Sequence, residues 1–181
     1  MRKHVYMPLL VGAALVALMG CGKEEAPPGP ADTSTTPSDT QTQAAAPTTC
    51  VSTAAEVEAA LGATVAGDPP PVMRTSGDYG TEGVSCQWFG NNGAELFVGA
   101  YLDPGTAKFA EARAANSFSS IASDVPGLGE EAWKYVDPQT HALTIEARGG
   151  GYVLDLYYDG PGDHEQQVIT LGQQALQHLA G

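Results

Sequence analysis

The first nineteen residues most constrain this chain, because they are expected to lie outside its fold. Arg2 and Lys3 give a positive start, and residues 5–19 then carry no charge before Leu18-Met19-Gly20 leads into Cys21. A basic start, an apolar run of about this length and a cut site describe a secretory signal that the working protein loses. A retained membrane helix would need roughly 20 apolar residues to cross ~30 Å of hydrocarbon. This run is shorter and holds Pro8.

Leu18-Met19-Gly20-Cys21 resembles the bacterial lipobox. That resemblance implies a diacylglyceryl group on the Cys21 thiol, cleavage before Cys21 and acylation, with palmitate-type chains, of the new amine. One acyl chain anchors marginally and two or more hold a protein stably, at ~0.8 kcal/mol per buried CH2. Gly22 rather than Asp follows the Cys, which the usual sorting rule of double-membrane bacteria associates with the outer membrane. Cell membrane and outer membrane both remain open, with the domain facing the periplasm or the cell exterior.

Residues 23–48 are rich in Pro, Thr, Ser, Ala and Gln. Such a stretch cannot bury enough apolar surface to offset its ordering entropy and is expected to be disordered. From Gly22 to Thr48 it would span ~30 Å on average as a flexible coil, a tether that lifts a domain off the membrane. The expected organisation is a signal at 1–20, a lipidated Cys and tether at 21–48, and one domain at 49–181, long enough for a real core.

That domain holds 17 acidic residues against 5 Lys and Arg. Its field repels phosphate, so nucleic acid is not expected as a partner. With Cys21 taken by lipid, Cys50 and Cys86 remain, and an exported domain with two thiols most simply pairs them. No CxxC is present to favour a metal site.

The hydrophobic pattern reads as mixed α and β. Thr53 and Glu56 form a capping box, Val57, Ala60 and Leu61 follow at helical spacing, and Gly62 stops the turn. Residues 62–82 are loop with one short strand near Val72-Met73. Residues 84–88 alternate as a half-buried strand, Gly90-Asn-Asn-Gly93 is hairpin chemistry, and residues 95–102 form the partner strand. A helix over 107–115 buries Phe109. Strands follow at 131–136, 143–147 and 152–158, with a glycine turn before the last. Asp163 is expected to cap a final helix with Gln166 in the capping-box position, its stripe being Val168, Leu171, Ala175, Leu176 and Leu179. The expected fold is α+β: an antiparallel sheet with helices on one face, in the order helix, strands, helix, strands, helix, with a weak duplication of 50–102 in 106–159.

The motifs of chemistry fail on context. Gly127-Leu-Gly129-Glu-Glu-Ala132 spells a dinucleotide loop, but a strand rather than a helix follows, and Glu130 and Glu131 would repel phosphate. His164-Glu165 begins like a zinc-protease helix, yet Val168 stands where the second His belongs. Ser119, Ser120 and Ser123 lie near no triad pattern. Asp155, Asp159, Asp163 and Glu165 bracket Gly160-Pro-Gly162 and would suit calcium, although turn formation and capping explain them without it. Trp133, Tyr152, Tyr157 and Tyr158 would line a pocket or, more commonly, pack into the core. No catalytic residue, metal or cofactor is expected.

Cys50, Leu61-Gly62, Cys86-Gln87-Trp88 and Val125-Pro-Gly-Leu-Gly-Glu-Glu-Ala132 together resemble a lipoprotein domain of unknown function common in actinobacteria. The resemblance covers most of residues 49–181 and implies a Cys50–Cys86 disulfide, a compact α+β fold and surface display, with no catalytic residues. The expected function is a non-enzymatic envelope module that binds a ligand or a protein. The alternative is a structural or stress-related lipoprotein without a small-molecule site. An aromatic pocket would mark the first, a fully covered sheet the second, and two carboxylates facing each other in a cleft would raise an enzyme.

Overall fold

The computed structural model describes residues 44–181. Cys21, the signal and most of the tether lie outside them. No helix among the described residues is long and apolar enough to cross a membrane.

The chain is mixed α+β, three helices on a seven-stranded antiparallel sheet. Helix α1 (Ala54–Leu61) starts at a complete capping box: Glu56 N donates to Thr53 Oγ1, and the Glu56 carboxylate accepts from Thr53 N at 2.7 Å. Gly62 closes it at φ 60, a conformation that glycine adopts without a Cβ penalty. Strands β1 (Val72–Thr75), β2 (Glu82–Phe89) and β3 (Glu95–Leu102) form a meander, followed by α2 (Thr106–Ala115). Then come β4 (Ser123–Asp124), β5 (Glu131–Val136), β6 (Leu143–Gly149), β7 (Tyr152–Asp159) and α3 (Glu165–Ala180). The spatial order is β1-β2-β3-β7-β6-β5-β4, so the pairing of β3 with β7 joins the two halves at the centre.

Strand alternation divides the sheet into two unlike faces. On the first, Trp88, Leu96, Val98, Ile145, Leu154 and Leu156 pack beneath Val57 and Leu61 of α1 and Val168, Leu171 and Ala175 of α3. Gly172 lets α3 press on the sheet, since a Cβ there would stand 2.9 Å from Leu156 Cδ1. Histidines pin the helix ends, His164 Nδ1 to Ala60 O and His178 Nδ1 to Val51 O, both at 3.0 Å. The Cys50–Cys86 disulfide, with Cα atoms 5.8 Å apart, ties the approach to α1 onto β2.

The second face corrects the expectation that the helices share one side. Phe109 of α2 is fully buried against Tyr79, Trp133 and Val153, a cluster separate from the main core. Val153 and Trp133 project from the face opposite Leu154 and Ala132, and that apolar patch needs its own cover. The halves therefore share a meander of strands but set α1 and α2 on opposite faces. The cap of α3 also differs. His164 occupies the N-cap position without a side-chain bond to the helix amides, and Asp163 Oδ1 instead accepts from Glu165 N at 3.2 Å in an Asx-type turn.

Candidate functional site

The second face carries the polar chemistry of the domain. Direct cross-strand partners place Val72, Ser85, Gly99, Asp155, Glu146 and Trp133 in one row from β1 to β5. Partners in an antiparallel pair share a face, so Asp155 and Glu146 stand side by side. The Tyr101 ring lies over Gly99 and Gly83: a Cβ on Gly99 would meet its Cε2 at 2.6 Å, and one on Gly83 would meet its Cδ1 at the same distance. The two glycines are the seat of that ring, and they bring its hydroxyl along β3 towards Asp155.

Electrostatics follow from this packing. Glu146 is 5% exposed, and burial first, then the charges of Asp155 and Asp78, push its carboxyl up to about 9. Asp155 is raised to about 6 by burial and by Asp78, with Arg74 acting in the opposite direction. Tyr101 is raised to about 12 by burial and by Asp155. Burial raises both carboxyls above their ordinary range, Glu146 further than Asp155. Glu146 Oε2, Trp133 Nε1 and Tyr79 Oη have no hydrogen-bond partner among the described residues, and each such buried atom costs ~1–3 kcal/mol.

Beyond the part of this face that α2 covers, towards β1, a groove of about 430 Å³ opens. Its walls are residues 65–70 and Val72, and its floor is Ser85, Gln87, Phe89 and Phe97. Phe89 is 62% exposed and Val72 47%, large apolar groups at an open edge. The Arg74 guanidinium lies 5.6 Å from the centre of the Phe97 ring, within cation–π range. The other four cations of the domain are in ion pairs: Lys108 with Glu111, Arg113 with Asp124, Lys134 with Glu165, and Arg148 with Asp103 and Glu130. Arg74 alone has none among the described residues. A hollow of similar size is lined by Gly127, Gly129, Gly149 and Gly150 with Glu130, Gln173, Leu176, Gln177 and Ala180.

The residues singled out from sequence are dispersed. Cys21 lies outside the described residues, and Cys50 and Cys86 form the disulfide. The aromatic set does not line one pocket: Tyr158 faces the main core, Trp133 is buried beneath α2, Tyr152 donates to Ala45 O at 3.1 Å, and Tyr157 lies on the second face opposite Thr144. The carboxylates offered for calcium do not converge, because Asp155 sits inside β7, Asp163 bonds Glu165 N, and Glu165 pairs with Lys134. No group of three or more metal-ligating side chains occurs among the described residues. Gly127 and Gly129, at φ 80 and 65, form a turn that feeds β5. In the sequence Leu143, Ile145 and Ala147 alternate with Thr144, Glu146 and Arg148, a pattern that does not single out Glu146. The tight Gly150-Gly151 turn was the signal that could have paired it with Asp155.

Neither a protein-family model nor a curated protein matches the chain. Among solved structures it is similar to a Thermotoga maritima protein described as a GTP binding regulator, at 12% identity and a TM-score of 0.43, over 62% of this chain and 76% of that one.

Proposed function

We propose that this chain is an exported lipoprotein, anchored through lipid on Cys21, whose domain binds a ligand or partner non-enzymatically in the groove beside β1. One observation carries the reading: an apolar groove stands open at the β1 side of the second face, with Phe89 and Val72 exposed at its rim. The described chain begins beside Gly151 and Tyr152, at the β6–β7 turn. Tyr152 is opposite Leu102 at one end of β3, whereas Phe89 of the groove is opposite Glu95 at the other. The strand between them spans ~24 Å at ~3.4 Å per residue.

The disulfide supports an oxidising location outside the cytoplasm. The Cys50, Cys86-Gln87-Trp88 and Val125 to Ala132 elements favour the actinobacterial lipoprotein domain family as its kin. A structural envelope role is the alternative reading, and the open groove argues against it. The groove's size is within the range of ligand sites, with a mostly apolar lining and few polar groups.

The test uses the full chain and the fluorescent probe anilinonaphthalene sulfonate, which has an aromatic body for Phe89 and Phe97 and an anion for Arg74. The expected result is saturable binding, weakened at least tenfold by Val72→Glu or Phe97→Ser at unchanged circular dichroism. Non-saturable binding, or binding indifferent to both substitutions, would remove the groove from the account.

A further inference from the structure

The groove borders a gap in the backbone pairing of the sheet. Strand β1 pairs with β2 only as far as Val72 opposite Ser85. The next contact with that edge is the isolated bridge between Val65 and Gly90. Between them, residues 66–71 make no backbone pairing with β2, Pro69 O lying 3.5 Å from Cys50 Sγ of the disulfide, and include Pro69, Pro70 and Pro71, which have no N–H to offer. The direction of the β2 backbone can be read from its end: Gly90 N bonds with Ala94 O at 2.8 Å on the β3 side, and Asn91 N with Thr64 O at 3.0 Å on the other. In an antiparallel ladder this direction alternates residue by residue. Gln87 therefore turns both its N–H and its C=O into the gap, and no backbone hydrogen bond from the facing loop reaches it among the described residues.

We propose that this gap receives an extended peptide segment of a partner protein, which continues β1 past Gln87 and seats an apolar side chain among Val72, Phe89 and Phe97. The proposal rests on the groove as the binding surface and names the class of partner. Strand addition derives affinity from backbone pairing and specificity from the pocket for alternate side chains, and both parts are present here. Charge sets the flanks. Asp68, which accepts from Ala54 N at 2.6 Å, lines the groove, and Glu95, which accepts from Gln87 Nε2, stands opposite Phe89; neither has a cationic partner among the described residues, so the end of the peptide passing them is basic. Arg74 marks the other end and excludes a second basic cluster there.

The test titrates the 15N-labelled full chain with the blocked peptide Lys-Lys-Val-Phe-Val-Thr and with two versions N-methylated on alternate amides, one for each phase of the strand. Methylation removes the backbone donors while keeping the side chains. The expected result is binding of the parent, at least tenfold weakening in one methylated phase only, a shift and slower hydrogen exchange of the Gln87 amide, and loss of binding with Val72→Lys. Equal binding of all three peptides, or an unmoved Gln87 amide, overturns strand addition. If anilinonaphthalene sulfonate binds and no peptide does, the peptide proposal fails and the groove reading stands. If neither binds, both fail.

Discussion

Glu146 on β6 and Asp155 on β7 stand directly opposite each other on the face of the sheet that α2 partly covers. Burial first, then the charges of Asp155 and Asp78, favour the protonated form of Glu146, so of the two carboxyls it is the one that keeps its proton as pH rises. Burying such a pair has a cost, and the cost depends on pH.

Between the ordinary carboxyl value and about 9, folded Glu146 keeps a proton that the unfolded chain has released. Stability should therefore fall as pH rises through that interval, by about 6 kcal/mol at most for this group. Glu146→Gln should leave stability near pH 4 little changed, raise the melting temperature at pH 8, and flatten the slope between them. Asp155→Asn removes the charge that helps hold the proton on Glu146, so the Glu146 carboxyl should titrate lower in a 13C NMR titration. A Glu146→Gln variant less stable than the parent at pH 8 would contradict this.

Phe109 is the only fully buried side chain of α2 and seals the Tyr79–Trp133–Val153 cluster. Phe109→Ala should cost ~3–5 kcal/mol in urea unfolding. It should also shift tryptophan fluorescence to the red as water reaches Trp133. A loss below 1 kcal/mol would mean that α2 does not cover this face.

Reduction and alkylation of Cys50 and Cys86, 36 residues apart, should remove ~3–4 kcal/mol by the chain-entropy argument. The melting temperature should fall with the reducing agent present and be unaffected by it in a Cys50→Ser/Cys86→Ser chain. An unchanged transition in the reduced parent would count against a stabilising bridge.

Local chemistry was legible in the sequence where it acts over a few residues. The Thr53–Glu56 box and Gly62 bounded α1, and the Gly90–Gly93 and Gly150–Gly151 turns bounded their hairpins. What depends on distant parts of the chain was not. Helix α2 is mostly alanine around a lone Phe109, so its sequence does not say which face of the sheet it covers. Strand β4 has two residues, too few for alternation to show. The groove exists because residues 66–71 depart from β2 between two points of contact, and no local pattern records where a loop rejoins a sheet. The Glu146–Asp155 pair was half legible: Gly149-Gly150-Gly151 marks a turn in the sequence, and positive φ at Gly150 and Gly151 in the structure shows which two residues form it and so fixes the β6–β7 register.

Cys21→Ser should release the protein from the membrane fraction while leaving the domain folded, because the expected lipid acceptor is lost and no described helix spans a bilayer. Fractionation of cells expressing both forms reads this directly. Variant protein that still sediments with membranes would point to another anchor.

Mass spectrometry of the native membrane-extracted protein tests the tethering claim most directly. A chain beginning at Cys21 with the added mass of a diacylglyceryl group and an N-acyl chain is the expected result. A start at Met1, or a Cys21 start with no acyl mass, would contradict it.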